Sequence, residues 1–307
     1  MVPVDEEAGL NPLLTKSATE LAASIRRREL SSRAVVEAHI ARIVEVNPRL
    51  NAMVADRFTA ARADADAADE AVRAGGDLPQ FHGVPCSIKE SIALAGMPLT
   101  SGLVARKAVT ADGDATTVAR LKRAGAIPLG VTNVSELCMW METNNRVYGR
   151  TNNPYDPKRI VGGSSGGEGA IVGAGGTPFG LGADIGGSIR MPAFFNGVFG
   201  HKATGGLVPG TGQYPIAENQ ALRYLTTGPL CRRAEDLMPL LRVLAGPDGF
   251  DAGCEARTLG DPGAVRLDEL HVLDVEDNGK TPVADDLRAA RRRAVEALRA
   301  RGARVEK

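Results

Sequence analysis

Apolar and polar positions change their rhythm at about residue 75. Ahead of it, apolar residues recur three and four apart: Leu21 and Ile25 in one stretch, then Val36, Ile40 and Ile43 in a second that Asn47-Pro48 closes. A third, alanine-rich stretch runs from Thr59 to Arg73. This period predicts a helical preface over residues 1–75. Past "AGGDLP" come short apolar runs separated by helical stretches and glycines, the alternation of an α/β protein. "GVPCSI" predicts a strand with Lys89 at its end. "DATTVARLKRAGAIPLGVT" predicts a helix with Asp114 as N-cap and Gly125 after its last turn, then a strand. "TPFGLGADI" predicts another strand, and "AEDLMPLLRVLAG" a helix with Leu237, Leu241 and Leu244 facing inward. Thr281 and Pro282 open a last helix that Gly302 stops, and "ARVEK" reads as an incoming strand, as though the chain broke off mid-unit. Residues 76–307 are expected to form one core, packing with the preface as a single domain.

Composition narrows the class of protein. With 307 residues, 43% hydrophobic and 24% charged, the chain can bury a substantial core. Lys plus Arg and Asp plus Glu balance at 37 each, so charge does not point to nucleic acid, and a small or neutral partner is expected. Cys86, Cys138, Cys231 and Cys254 lack CxxC or zinc-like spacing, which predicts buried free thiols and no metal site. The N-terminal "MVPVDEEAGLNPLLTKSATE" lacks the basic and apolar segments of a secretory signal. No apolar run reaches the roughly 18 residues of a membrane span, so a cytoplasmic protein is expected.

Two glycine-rich clusters carry the candidate chemistry. "VGGSSGGEGA" flanks Ser164 and Ser165 with glycine pairs, and "GLGADIGGSIRMPAFFNGVFG" surrounds Ser188. Glycine costs backbone entropy on folding, so such clusters mark places where the main chain approaches something closely. The first cluster runs on as a helix whose free N–H groups suit an anion or oxyanion, with Glu168 complementing the dipole in its first turn. A serine nucleophile needs a base. None of His39, His82, His201 and His271 stands in a pattern that completes a Ser-His-Asp triad, whereas Lys89, ending an apolar strand, suits a lysine made neutral by desolvation. "GGSSG" also satisfies the G-x-S-x-G elbow of α/β-hydrolases, but the polar "TNNPYDPKRIV" precedes it where that motif needs a strand. No GxxxxGK[ST] occurs, and no GxGxxG follows a predicted strand, so nucleotide binding is disfavoured.

"GVPCSIKE", "GGSSGGEGA" and "GLGADIGGSIRMPAFFNGVFGHK" together resemble the amidase signature family of serine hydrolases. Lys89 to Ser164 and Ser164 to Ser188 span 75 and 24 positions, matching that family's Ser-cisSer-Lys triad. The likeness covers roughly Gly83 to Gly246 and is greatest to fatty-acid amide hydrolases of the second vertebrate type. It implies an α/β/α sandwich around a twisted mixed sheet, Ser188 as nucleophile, Ser164 on a cis peptide, and Lys89 as base. It also implies an oxyanion hole of the Ile185, Gly186, Gly187 and Ser188 N–H groups. Ser165, Asp184 and Arg190 would support the site, and Cys138, Met139 and Met141 would line the acyl pocket. The implied reaction is hydrolysis of carboxylic amides, and of some esters, with no metal or organic cofactor. The partner would be a small amide, with a homodimer left open. The alternative readings are a glutaminase-type amidotransferase subunit or an inactive truncated amidase, since family members continue well past Lys307. Ala203 in "GHKATG" departs from the family's usual proline.

Overall fold

The computed structural model describes residues 10–217, 221 and 223–307. The first nine residues of the stretch read above for a secretory signal therefore lie outside the described residues. Ser17 starts helix α1 (Ala18–Arg26) through a capping box, accepting the Glu20 N–H while the Glu20 carboxylate accepts its own. Helix α2 (Ser32–Leu50) runs through the expected stop at Asn47-Pro48. Pro48 falls in the last turn, where its missing N–H forfeits only the bond to the carbonyl of exposed Val44. Asn47 seals that end: Oδ1 accepts the N–H groups of Ala52 and Met53, and Nδ2 donates to the Met53 carbonyl. Strand β1 (Met53–Asp56) and helix α3 (Phe58–Ala74) complete the preface.

Strand β2 (Pro85–Lys89) ends on Lys89 as expected. Helix α4 (Thr116–Arg123) leads into strand β3 (Ile127–Thr132), with Gly125 at φ +88° just past the helix. Asp114 is not its N-cap. Ala115 holds that position, and Asp114 instead accepts the Ala95 N–H and pairs with Lys122. A small hairpin of β4 (Asn144–Asn145) and β5 (Gly149–Arg150) precedes helix α5 (Gly166–Gly173) and strand β6 (Phe179–Asp184). Helix α6 (Arg190–Phe195), the short strand β7 (Phe199–Gly200), strand β8 (Thr226–Cys231) and helix α7 (Leu237–Leu244) follow. On α7 the buried face is Leu240, Leu241 and Leu244, and Leu237 is only half-buried.

Six strands form one sheet in the order β1-β3-β2-β6-β8-β7. β3, β2 and β6 run parallel, and β1, β8 and β7 join antiparallel. The sheet is mixed, and β2, β3, β6 and β8 are buried along their whole length, which requires cover on both faces. Part of that cover is a cluster uniting Val36, Ile40 and Ile43 of α2 with Leu129 of β3 and Ile171 of α5. Lys89 and Asp184 end the adjacent parallel strands β2 and β6, the edge of an α/β sheet where ligands bind.

Contacts divide the chain into two compact units, the first ending at Arg257, the second Thr258–Lys307. That boundary lies inside the stretch expected as one core, 76–307. In the second unit β9 (His271–Leu273) pairs in parallel with β10 (Arg304–Glu306), the strand read from "ARVEK", and helix α8 (Asp285–Arg299) connects them. α8 starts at Asp285 rather than Thr281, because Asn278 Oδ1 takes the N–H groups of Lys280 and Thr281 into a turn. No helix among the described residues is long and apolar enough to cross a membrane.

Candidate active site

Lys89 is fully buried at the end of β2. Its Nζ lies 2.7 Å from Ser164 Oγ and 3.5 Å from the Ala183 carbonyl. Burial lowers the lysine pKa below its ordinary value, against the opposing pull of the Cys138 thiol and the Asp184 and Glu168 carboxylates. Ser164 follows a cis peptide bond from Gly163, as the resemblance implied. A side chain on Gly163 would stand 2.5 Å from the Trp140 carbonyl oxygen and 2.7 Å from Ser135 Oγ, so only glycine fits there.

The 133–143 segment is the mould for this serine loop. Thr143 Oγ1 donates to the Gly162 carbonyl and accepts the Gly166 N–H, while the Asn133 carbonyl accepts the Gly167 N–H. Ser165 Oγ donates to the Ala183 carbonyl, and its N–H donates to the Ser188 carbonyl, joining the two glycine clusters directly. Irregular backbone leads into "GGSSG" and a helix leaves it, without the upstream strand of a nucleophile elbow.

Ser188 is half-buried in the turn between β6 and α6, and that turn is built on Asp184. The Asp184 carboxylate accepts the N–H groups of Gly187, Ile189 and Arg190 and a bidentate pair of bonds from the Arg190 guanidinium. Burial opposes its ionisation, but Arg190 and the three N–H groups outweigh that and hold the carboxyl below the usual range. One expectation changes as a result. The Gly187 N–H, expected in the oxyanion hole, is directed at Asp184 Oδ1 at 2.8 Å. Among the four expected donors, this leaves the N–H groups of Ile185, Gly186 and Ser188 as candidates.

A cavity of about 720 Å³ is lined by Lys89, Ser164, Ser188, Ile185 and Gly186 together with the expected Cys138, Met139 and Met141. Its wall also includes Trp140, Tyr214, Ile216 and Leu225, which the sequence reading missed. Trp140 stands between two residues already singled out, and that adjacency was the available signal. None of the four histidines lines this cavity. His39 and His82 instead lie by the carbonyls of Gly175 and Ala68, and His271 pairs with Glu306.

Two buried carboxylates have engagements that the sequence reading did not give. Glu168 stands in the first turn of α5 as expected, but its carboxylate has a further engagement. It is fully buried and accepts hydrogen bonds from Ser87 Oγ at 2.6 Å and Thr132 Oγ1 at 2.7 Å. Glu90, next to Lys89 and not singled out by any motif, accepts from the Thr100 and Ser101 N–H groups and from the hydroxyls of Thr100 and Tyr148, anchoring the loop beside Cys138.

A family profile described as amidase matches residues 34–307. The chain belongs to the amidase signature family. This amidase-family chain is 51% identical over 302 residues to fatty-acid amide hydrolase 2-A of Danio rerio, covering 94% of itself and 55% of that relative. It is also 38% identical over 304 residues to a glutamyl-tRNA(Gln) amidotransferase subunit of Roseiflexus castenholzii, covering 96% of itself and 60% of that protein. Among solved structures, a fatty acid amide hydrolase superposes with a TM-score of 0.89 at 28% identity, over 98% of this chain and 55% of the other. The chain thus spans just over half the length of these amide hydrolase relatives.

Proposed function

We propose that the chain hydrolyses carboxylic amides through an acyl-enzyme on Ser188. The observation that carries this reading is the contact between Lys89 Nζ and Ser164 Oγ, at 2.7 Å and inside the cavity that Ser188 also lines. Neutral Lys89 takes the Ser164 proton as Ser164 takes the Ser188 proton, and Ser188 Oγ bonds to the amide carbon. The carbonyl oxygen gains the negative charge, stabilised by the N–H groups of Ile185, Gly186 and Ser188, each well-placed donor being worth about 3 kcal/mol. Collapse breaks the C–N bond, and the proton returns along the same path to the leaving amine. Water, deprotonated by the same chain, then attacks the ester and frees the acid and Ser188.

Met139, Trp140, Met141, Ile185 and Ile216 make the cavity wall largely apolar, which favours an apolar acyl group such as a fatty or aryl acid. The names of its fatty-acid amide hydrolase relatives support the same substrate class. The likeness to an amidotransferase subunit favours glutamine as a second reading. Incubation with oleamide and with glutamine separates them, since hydrolysis of glutamine alone would replace the first reading by the second. The four cysteines are free, Cys86, Cys231 and Cys254 buried as expected but Cys138 only half-buried because it lines the cavity, and free thiols fit a reducing, cytoplasmic setting.

Fluorophosphonate labelling tests the mechanism. Ser188→Ala should abolish labelling, and Lys89→Ala should leave a small residual rate that rises with pH as hydroxide replaces the missing base. Full labelling of Ser188→Ala at a single site would overturn the assignment.

A further inference from the structure

The mechanism above leaves the fully buried Glu168 unused. We propose that Glu168 is a positioning residue that fastens the helix following Ser164 to the strand bearing Lys89 and, when ionised, favours the charged form of Lys89 over the neutral one. This rests on the Ser188-Ser164-Lys89 reading and extends it.

Glu168 stands on α5, whose first residue, Gly166, lies two positions after Ser164. One carboxylate oxygen accepts from Ser87 Oγ on β2, two residues before Lys89, and the other from Thr132 Oγ1 on β3. Thr132 is the register partner of Lys89 across the parallel pair. A single side chain therefore ties together the helix behind Ser164 and the two strand ends around Lys89. The neighbouring strand is shaped to admit it, because a Cβ on Gly180 would fall 1.6 Å from Glu168 Oε2.

The hydrogen-bond partners of this carboxyl are hydroxyls, and Thr177 Oγ1 lies 3.1 Å from Ser87 Oγ as a further member of the network. Burial pushes the Glu168 pKa up to about 7, and the two hydroxyls and the Lys89 charge offset that only in part. Lys89 in turn feels the Cys138 thiol most, then Asp184 at the end of β6, then Glu168, while Asp184 is engaged by Arg190. The buried Cys86 thiol on β2 feels the Glu168 charge as well. Near neutral pH, Glu168 thus changes charge beside a lysine whose neutral form is the one the reaction uses. Its ionisation favours the ammonium and delays the appearance of the base as pH rises.

The test is the pH dependence of Ser188 labelling by a fluorophosphonate in the full chain. Glu168→Gln keeps a group able to bond both hydroxyls and removes the charge, so the acid limb of the rate profile should move to lower pH by at least about half a unit. Glu168→Ala, which loses the bonds as well, should show the same movement of the limb but label more slowly on the plateau above it and melt at lower temperature. Thr132→Val is the second probe if Glu168→Gln fails to fold. Without that donor the carboxyl ionises later, so the limb should again move to lower pH, while Thr132→Ser should restore the original profile. Limbs that coincide with the unsubstituted chain in the folded variants overturn the proposal. Absence of Ser188 labelling in the unsubstituted chain would instead overturn the mechanism on which it rests.

Discussion

At the scale of single residues, the site depends on how charge is held out of water. Asp184 organises the turn that carries Ser188, the proposed nucleophile, through three N–H groups and Arg190. Asp184→Asn would set an amide NH2 against some of those donors, and kcat should fall by roughly tenfold or more with little change in KM. Steady-state kinetics on an aryl amide would check this. His39 is a second case. Burial lowers its pKa to about 4 from 6.5, with the Gly175 and Gly176 carbonyls opposing. Between those values the unfolded chain binds a proton that the folded one refuses, so stability is lost as pH falls from 6.5 towards 4. Glu168 works oppositely, since its raised value makes it lose stability as pH rises from 4.5 towards 7. His39→Gln should therefore flatten the acid side of a melting-temperature profile, and an unchanged slope would contradict that assignment. The contact of Lys89 with Ser164 and the cavity they share with Ser188 were legible because the motifs and spacing carry the three residues together. The roles of Glu168 and of the Gly187 N–H were not, because each depends on which neighbouring strand or carboxylate faces it. Ser87 and Gly180, a hydroxyl and a gap on flanking strands, were the faint sequence traces of the first.

At the scale of elements, periodicity located the main helices and strands, and the errors gathered at their ends. Asn47-Pro48 read as a stop, yet the helix continues to Leu50 because the Asn47 side chain captures the chain beyond it. Asn47→Ala should lower stability by about 1 kcal/mol or more, measured by urea denaturation, through loss of those side-chain bonds. Asp114 failed as an N-cap for the complementary reason, since a lysine one helix length away and a loop N–H claimed it first. Capping residues are read from local sequence, but their hydrogen bonds go wherever the tertiary fold puts a better partner.

For the whole molecule, the preface is tied to the sheet region by long-range polar contacts as well as apolar packing. Asp236, buried just before α7, accepts the N–H groups of Ala18 and Thr19 and the Thr19 hydroxyl, closing the start of α1 from 218 residues away. Asp236→Ala should cost about 2 kcal/mol and raise amide exchange in α1 ahead of the sheet. Equal exchange in both would argue against this link. Composition and periodicity conveyed none of it, because no local pattern records a partner so distant. The same separation of local from distant bears on the cavity wall. The main chain at Trp140 and Glu142 and the hydroxyls of Ser135 and Thr143 mould the peptide before Ser164, whereas the side chains of Met139, Trp140 and Met141 project into the cavity or solvent. Under the proposed function, exchanging those three side chains would reshape the space offered to an acyl group while leaving Ser164 and Ser188 where they are, so substrate range would be freer to change than chemistry.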